Sequence, residues 1–215
     1  LRLALHDRLA VELDPGASAD HLEVEGEQVA GDENLVLRAA SELRAAIDPS
    51  LPSLRFALHK RIPAAAGLGG GSSDAAAAID LALAAWGVRL HPAERLGAAL
   101  RVGADVPFFT AGHPASLVEG IGEHVTPLPA PEPAAGILLV TPHDRLSTAA
   151  VFAEYDREPA AGALERVDEI VSLLREGIGG MTLAATTAML REANDLWLPA
   201  QRLRPGLTRM RELVA

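Results

Sequence analysis

A run of glycines directly before a strong helix former is the stretch of this chain best suited to chemistry. Residues 67–78 read GLGGGSSDAAAA, with four glycines in five residues, then two serines, an aspartate and alanines. Glycine tolerates positive φ and has no side chain, so successive backbone N–H groups can turn toward one point. A helix that begins there adds unpaired N–H groups and the positive end of its dipole. The stretch therefore predicts an anion cradle, and phosphate is its usual occupant.

Two common phosphate loops fit this stretch badly. A P-loop needs Gly-Lys followed by Ser or Thr at the start of the helix, and no lysine stands there. A dinucleotide fingerprint needs a continuously apolar strand before the glycines and an acidic residue after the next strand. Here the preceding strand is amphipathic and ends in HKRIP, and a further helix follows. A tight strand-to-helix turn that binds nothing is the plain alternative.

A second stretch, GADVPFF at 103–109, offers a single carboxylate, Asp105. It lies between a turn of small residues and an apolar run, where desolvation and nearby phosphates would tune it. An Asx turn or a helix cap is the structural alternative for an aspartate that follows glycine so closely. Lys60, the only lysine, stands at the end of the strand before the glycines. We expect it to be solvated there, and attraction of a phosphate is the alternative.

Several segments, in order, resemble the GHMP small-molecule kinases. RIPAAAGLGGGSSDAAAA resembles the second motif of that family, and GADVPFF resembles its catalytic motif. Further segments that match in the same order are DENLVLRAA, VEGIGEHVTPL, STAAVF and NDLWLPA. The additional glycines and the SSDAA ending resemble the branch that acts on a methylerythritol carrying a cytidine diphosphate, in the non-mevalonate isoprenoid pathway.

This resemblance implies an ATP- and Mg²⁺-dependent kinase that phosphorylates the 2-hydroxyl of that substrate. It makes Asp105 the catalytic aspartate, either as general base or as the group that aligns the substrate hydroxyl. It implies that Thr148 and Phe152 are part of the cytidine site. It also implies that Ser73 is a ligand of Mg²⁺, and helix capping is the alternative role for the serines. The ATP phosphates would be held by Ala66, Gly67, Leu68, Gly69, Gly70, Gly71, Ser72 and Ser73.

The resemblance also implies a two-domain α+β fold. Residues 1–134 would form the N-terminal ATP-binding domain, with the ribosomal-protein-S5-domain-2-like fold, and residues 135–215 an incomplete ferredoxin-like C-terminal domain. The family's first motif supplies a lysine and an aromatic–histidine pair that grips cytosine, and no counterpart occurs in residues 1–30. Its last glycine-rich motif has no counterpart either. We therefore expect the 215 residues to be an internal piece of such a kinase.

The periodicity of apolar residues predicts the elements that must position these groups. Alternation predicts strands at 8–13, 22–26 and 53–62, and helical spacing predicts helices from 35, from 76 and from 92. Asp32 is the predicted N-cap of the first helix and Gly87 the predicted end of the second. Two short strands should flank Gly120–Gly122, and ILLVTP at 137–142 should form a buried strand. The remaining predicted helices lie around 147–155, 163–176, 181–192 and 205–214.

Composition excludes several classes of protein. The net charge is −10 and no basic stripe occurs, so nucleic acid and anionic membranes are poor partners. The chain has no cysteine, which excludes thiol catalysis, disulfides and cysteine-ligated zinc and fits a cytoplasmic protein. We expect a monomer or homodimer with a small-molecule substrate. Two alternatives stay open: a GHMP kinase for homoserine, mevalonate or a sugar, and a nucleotide-binding module without catalysis.

Overall fold

The computed structural model describes residues 1–26, 34–64, 66–129, 136–141, 146–158, 170–175 and 194–214. The chain divides into two compact units. The first consists of Leu1–Ala64 and Leu68–Pro127, and the second of Ala65–Gly67 and Leu128–Ala215. The predicted boundary between 134 and 135 lies outside the described residues and stays a prediction.

A three-stranded sheet forms one wall of the first unit. Its strands are β1 (Arg8–Asp14), β2 (His21–Gly26) and β3 (Ser53–Lys60). β3 lies in the middle, antiparallel to β1 and parallel to β2. Burial along β3 alternates strictly because successive side chains point to opposite faces. Three apolar residues and then Lys60 therefore share the inner face.

Two helices, α1 (Leu35–Ile47) and α2 (Gly70–Trp86), cover the inner face of this sheet. The core is centred on Phe56, Leu43 and Ile79, none of which has any exposed surface. Full burial of side chains of this size contributes about 1.5–3 kcal/mol each. α1 begins at the N-cap Asn34, whose side chain accepts from the N–H of Val36 at 2.9 Å. The prediction of Asp32 as the N-cap is therefore wrong, because the helix begins two residues later, at the cap that Asn34 provides.

The rest of the first unit completes the surroundings of α2. α3 (Pro92–Val102) begins with a capping box between His91 and Glu94, and the short α4 (Val106–Thr110) packs against α2. β4 (Ser116–Glu119) and β5 (His124–Pro127) form an antiparallel hairpin. The strands and helices predicted for residues 8–127 are confirmed, with bounds that shift by a few residues.

The described part of the second unit is largely helical. α5 (Thr148–Arg157), α6 (Trp197–Leu203) and α7 (Gly206–Val214) belong to it, and residues 170–175 are helical. The Arg202 guanidinium of α6 pairs with Glu158 at 2.7 Å, after the end of α5. The helices predicted at 163–176 and 181–192 otherwise lie outside the described residues.

The buried strand predicted at 137–142 is wrong for the residues that the structure describes there. Residues 136–141 form no strand, and Leu138 has 84% of its surface exposed. A strand exists only where a neighbour pairs with its backbone, and within the described ranges no segment pairs with this one. The apolar composition of the segment alone could not supply that partner.

Candidate functional site

The glycine run forms the turn into α2. Gly69, the N-cap, has the left-handed conformation (φ 66°, ψ 20°), which glycine adopts without a Cβ penalty. Gly67 also has positive φ (70°). No side chain caps the start of this 17-residue helix, so its first backbone N–H groups are open to an incoming acceptor. The local geometry is that of an anion cradle.

Tight packing beneath the turn accounts for part of its glycine content. A Cβ added at Gly70 would lie 2.9 Å from Ile62 Cγ2 and 3.4 Å from Lys60 Nζ. A Cβ at Gly69 would lie 3.1 Å from two ring atoms of Phe109. Gly71 is different, because its added Cβ would make an ordinary 3.6 Å contact with Leu35. A side chain is thus disfavoured at Gly70 by Ile62 and at Gly69 by its positive φ together with the Phe109 ring, whatever binds above the turn.

The two serines begin α2 with different surroundings. The Ser73 hydroxyl donates to the carbonyl oxygen of Gly70 at 2.8 Å, inside the first turn. Its oxygen keeps lone pairs that can still accept a hydrogen bond or ligate a hard cation. Ser72 is half-buried. The described residues include no group of three or more histidine, aspartate or glutamate side chains that could hold a metal by themselves.

Asp105 stands at the N-cap position of α4, but its side chain makes no capping hydrogen bond. The residue is exposed. The helix that it begins also carries Phe109, whose ring packs against Gly69. α4 therefore fixes the backbone of this carboxylate relative to the glycine turn, and the carboxylate is free of the capping role that the plain alternative gave it.

Lys60 is the clearest departure from expectation. Its side chain is 2% exposed, and its ammonium pairs with Asp74 at 2.8 Å and with Asp7. The prediction of a solvated lysine is wrong, because the alternation of β3 places position 60 on the inner face beside Phe56 and Leu58. The same alternation was the signal in the sequence that could have found it. No local pattern singles out Asp7, because its position opposite Lys60 depends on the register of β1 against β3.

The three charges shift one another's pKa values. Burial raises the pKa of Asp74 to about 6, although the Lys60 ammonium acts in the opposite direction. Burial acts to lower the pKa of Lys60, but its hydrogen bonds to Asp7 and Asp74 outweigh this and raise it. Burial acts likewise to raise the pKa of Asp7, but donation from the Arg61 N–H, Lys60 and the Ile62 N–H lowers it overall.

In the second unit, Thr148 and Phe152 lie one helical turn apart on α5, on one face of the helix. Thr148 is exposed, and Phe152 has half of its surface exposed. A core role for Phe152, the structural alternative to cytidine contact, is therefore not what the structure has. Val151, the neighbouring position, supplies the buried contact of this helix instead.

Comparison with known proteins places this arrangement in a family. The GHMP kinases N-terminal domain matches residues 34–113, the range that holds α1, the glycine turn and Asp105. A solved 4-(cytidine 5'-diphospho)-2C-methyl-D-erythritol kinase is 30% identical, with a TM-score of 0.60 over 96% of this chain and 68% of its own. The chain belongs to the GHMP kinase family. The resemblance inferred from the sequence motifs is thereby confirmed, and so is the mixed α+β fold.

Curated relatives agree with this membership. A 4-diphosphocytidyl-2-C-methyl-D-erythritol kinase of Rhodospirillum rubrum is 39% identical over 82% of this GHMP kinase chain and 54% of its own. One of Sinorhizobium medicae is 37% identical over 88% of this chain and 62% of its own. The chain thus spans about half the length of the curated relatives it matches. A homoserine kinase of Cytophaga hutchinsonii, 16% identical with a TM-score of 0.62 over 92% of this chain and 65% of its own, shares the fold.

Among the residues that the structure describes, no helix is both long and apolar enough to cross a membrane.

Proposed function

We propose that this GHMP kinase transfers the γ-phosphoryl group of ATP to the 2-hydroxyl of 4-diphosphocytidyl-2-C-methyl-D-erythritol. The observation that carries the proposal is a site, an uncapped glycine turn with an exposed carboxylate on the helix packed against it. Relatives named 4-diphosphocytidyl-2-C-methyl-D-erythritol kinase, which are 37–49% identical, support this choice of substrate. The homoserine kinase neighbour, at 16% identity, supports only the fold.

In this proposal the backbone N–H groups of the glycine turn receive the ATP phosphates. Phosphoryl transfer needs positioning and neutralisation of charge more than covalent chemistry from the protein. The uncapped start of α2 supplies N–H donors and the positive end of the dipole. The residues involved would be Ala66, Gly67, Leu68, Gly69, Gly70, Gly71, Ser72 and Ser73.

Asp105 would accept the proton of the substrate hydroxyl or align that hydroxyl for attack. Its exposed carboxylate is not engaged as a helix cap, so it is available to a substrate. Mg²⁺ commonly takes one or two protein oxygens and completes its shell with water and phosphate oxygens. The Ser73 hydroxyl fits that demand, and Mg²⁺ bound there would neutralise charge on the phosphates. Thr148 and Phe152, exposed on one face of α5, would contact the cytidine.

The test is ADP release with Mg²⁺-ATP and 4-diphosphocytidyl-2-C-methyl-D-erythritol, with homoserine and mevalonate as control acceptors. It should be run on this chain and on forms extended at either end. Turnover of the cytidine substrate alone is the expected result, and turnover of a control acceptor instead would overturn the substrate assignment. The Asp105→Asn variant should lose about 10²–10⁴-fold in turnover, the range for general acid–base catalysis, and keep its ATP affinity. Unchanged turnover in that variant would refute the role of Asp105.

A further inference from the structure

A buried cluster of three charges lies beneath the glycine turn and has no part in the proposed chemistry. Lys60 ends β3, Asp74 belongs to the second turn of α2, and Asp7 precedes β1. The side chains of the three residues are 2%, 7% and 2% exposed respectively. Lys60 therefore cannot reach a bound nucleotide through solvent, and any effect it has on the site must pass through the groups it holds.

Asp7 holds the backbone that leads from β3 toward the turn. Its carboxylate accepts hydrogen bonds from the N–H groups of Arg61 and Ile62. Ile62 is also the side chain that lies directly beneath Gly70. One carboxylate thus fixes both the lysine and the segment on which the turn rests.

Asp74 fixes the other side of the turn. Asp74 as a whole is 6% exposed within α2. Nζ of Lys60 lies 3.4 Å from the position that a Cβ on Gly70 would take. The ammonium therefore lies immediately beneath the first turn of the helix and bridges that helix to the chain held by Asp7. Three separate segments meet at this one nitrogen.

Stability alone is a weak reason for such a cluster. Desolvation of buried ions commonly cancels their attraction, and well-packed apolar residues are often as stable or more so. What a charged cluster does better than apolar packing is fix geometry, because its hydrogen bonds are directional. The backbone that it fixes here includes the donors proposed for the ATP phosphates.

We propose that Lys60, acting through Asp7 and Asp74, is a positioning residue for the phosphate-binding turn at Gly69–Ser73. It holds β3, the segment after it and α2 in one arrangement, so that the backbone N–H groups are already aligned when nucleotide arrives. Donors that are aligned beforehand bind more tightly, because ordering them costs nothing at the moment of binding. This inference rests on the proposed function, since it concerns binding of ATP phosphates.

The test compares two double variants that each disrupt one buried ion pair. Lys60→Met with Asp74→Asn removes the ammonium and one of the two charges opposite it. Arg44→Met with Asp20→Asn is the matched control. The two N–O distances of that pair are 2.7 Å and 2.5 Å, and its side chains are 18% and 8% exposed. Asp20 likewise accepts a hydrogen bond from a backbone N–H, that of Leu54. It lies at the opposite end of β3 from Lys60.

ATP dissociation constants are measured by calorimetry, well below the thermal transitions of all variants, and kcat and both KM values by ADP release. The Lys60 variant should bind ATP about tenfold more weakly or worse, which is about 1.4 kcal/mol. Its KM for the phosphoryl acceptor should stay unchanged, and the Arg44 variant should bind ATP like the parent. Parental ATP affinity in the Lys60 variant, or equal losses in both variants, would overturn the inference.

Asp74→Asn alone carries the test if the double variant does not fold, because asparagine keeps an oxygen that can accept from Lys60. It should show a smaller loss of ATP affinity in the same direction, and no loss would overturn the inference. The parent separates the two hypotheses. A parent that binds no ATP refutes the proposed function and this inference together, whereas a parent that binds ATP as tightly as its Lys60 variant refutes only the inference.

Discussion

Gly70→Ala is the substitution whose effect the structure determines most directly. The new methyl carbon would lie 2.9 Å from Ile62 Cγ2 and 3.3 Å from Ile62 Cβ. Carbon atoms in favourable contact are about 3.5–4.0 Å apart. Either Ile62, which is 7% exposed in the core, or the first turn of α2 must therefore move.

The magnitude follows from two opposing contributions to the free energy of unfolding. Replacing glycine with alanine at a compatible helical position stabilises a protein by about 0.4–1 kcal/mol. Overpacking a filled interior costs about 1–3 kcal/mol. Gly71→Ala, one residue along the same turn, gains the first contribution without the second, because its nearest contact is an ordinary 3.6 Å. We expect Gly70→Ala to be less stable than Gly71→Ala by about 2 kcal/mol.

Urea unfolding of the two variants and the parent measures this difference, and calorimetry measures ATP affinity of the parent and Gly70→Ala. The expected order of stability is Gly71→Ala, then the parent, then Gly70→Ala. ATP affinity should fall in Gly70→Ala, because the displaced turn carries the proposed phosphate donors. Equal stability of the two alanine variants would refute the argument that glycine at position 70 is required by the packing beneath it.

Two further predictions follow from neighbouring features. Stability of the parent should fall relative to Asp74→Asn as pH rises from about 4 to about 6 and then level off, since the folded pKa of Asp74 is raised from 3.8 to about 6 and its protonated form favours folding. Each pKa unit corresponds to about 1.4 kcal/mol, and parallel stability–pH curves for the two proteins would contradict the shift. Gly122→Ala should destabilise the protein more than Gly112→Ala and lower kcat. Both glycines have positive φ, but only at Gly122 would a Cβ meet backbone, 2.0 Å from the oxygen of Ala104, the residue before Asp105. Equal unfolding free energies of these two variants would rule out the contact.

Periodicity predicted β3 and α1 in the first unit because each of them buries one face. The alternation of β3 and the helical spacing in α1 both arise because the buried residues of the two elements belong to one core around Phe56. Residues 136–141 have the apolar composition of a strand but form none, since pairing depends on a partner elsewhere in the chain. Local pattern predicts a strand or helix when apolar and polar residues recur with the period of a buried face. It fails for a segment that is apolar throughout, because only a pairing partner elsewhere in the chain decides whether that segment is a strand.

The candidate site likewise contains residues that are adjacent in the sequence and residues that only the fold brings together. The glycine turn was predictable because the residues that form it are adjacent in the sequence. The role of Asp105 came from the resemblance to the GHMP kinases and stays a prediction. The charged cluster was not predictable, because Asp7 and Lys60 are 53 positions apart and meet only through the register of β1 on β3. Lys60 departs from the general tendency of lysine to be exposed, because the alternation of β3 places it on the buried face.

Two separate causes, access for a ligand and packing inside the protein, therefore favour glycine in this turn, and a sequence motif does not distinguish them. Binding of a phosphate would require an accessible backbone at every residue of the turn. Packing inside the protein also disfavours a side chain, because an added Cβ would crowd Phe109 at Gly69 and Ile62 and Lys60 at Gly70. Because this internal packing does not depend on a ligand, a relative that had lost ATP binding would still need glycine at 69 and 70. At position 71, where an added Cβ would make only an ordinary 3.6 Å contact with Leu35, such a relative could accept alanine. Position 71 should therefore distinguish loss of binding from loss of fold.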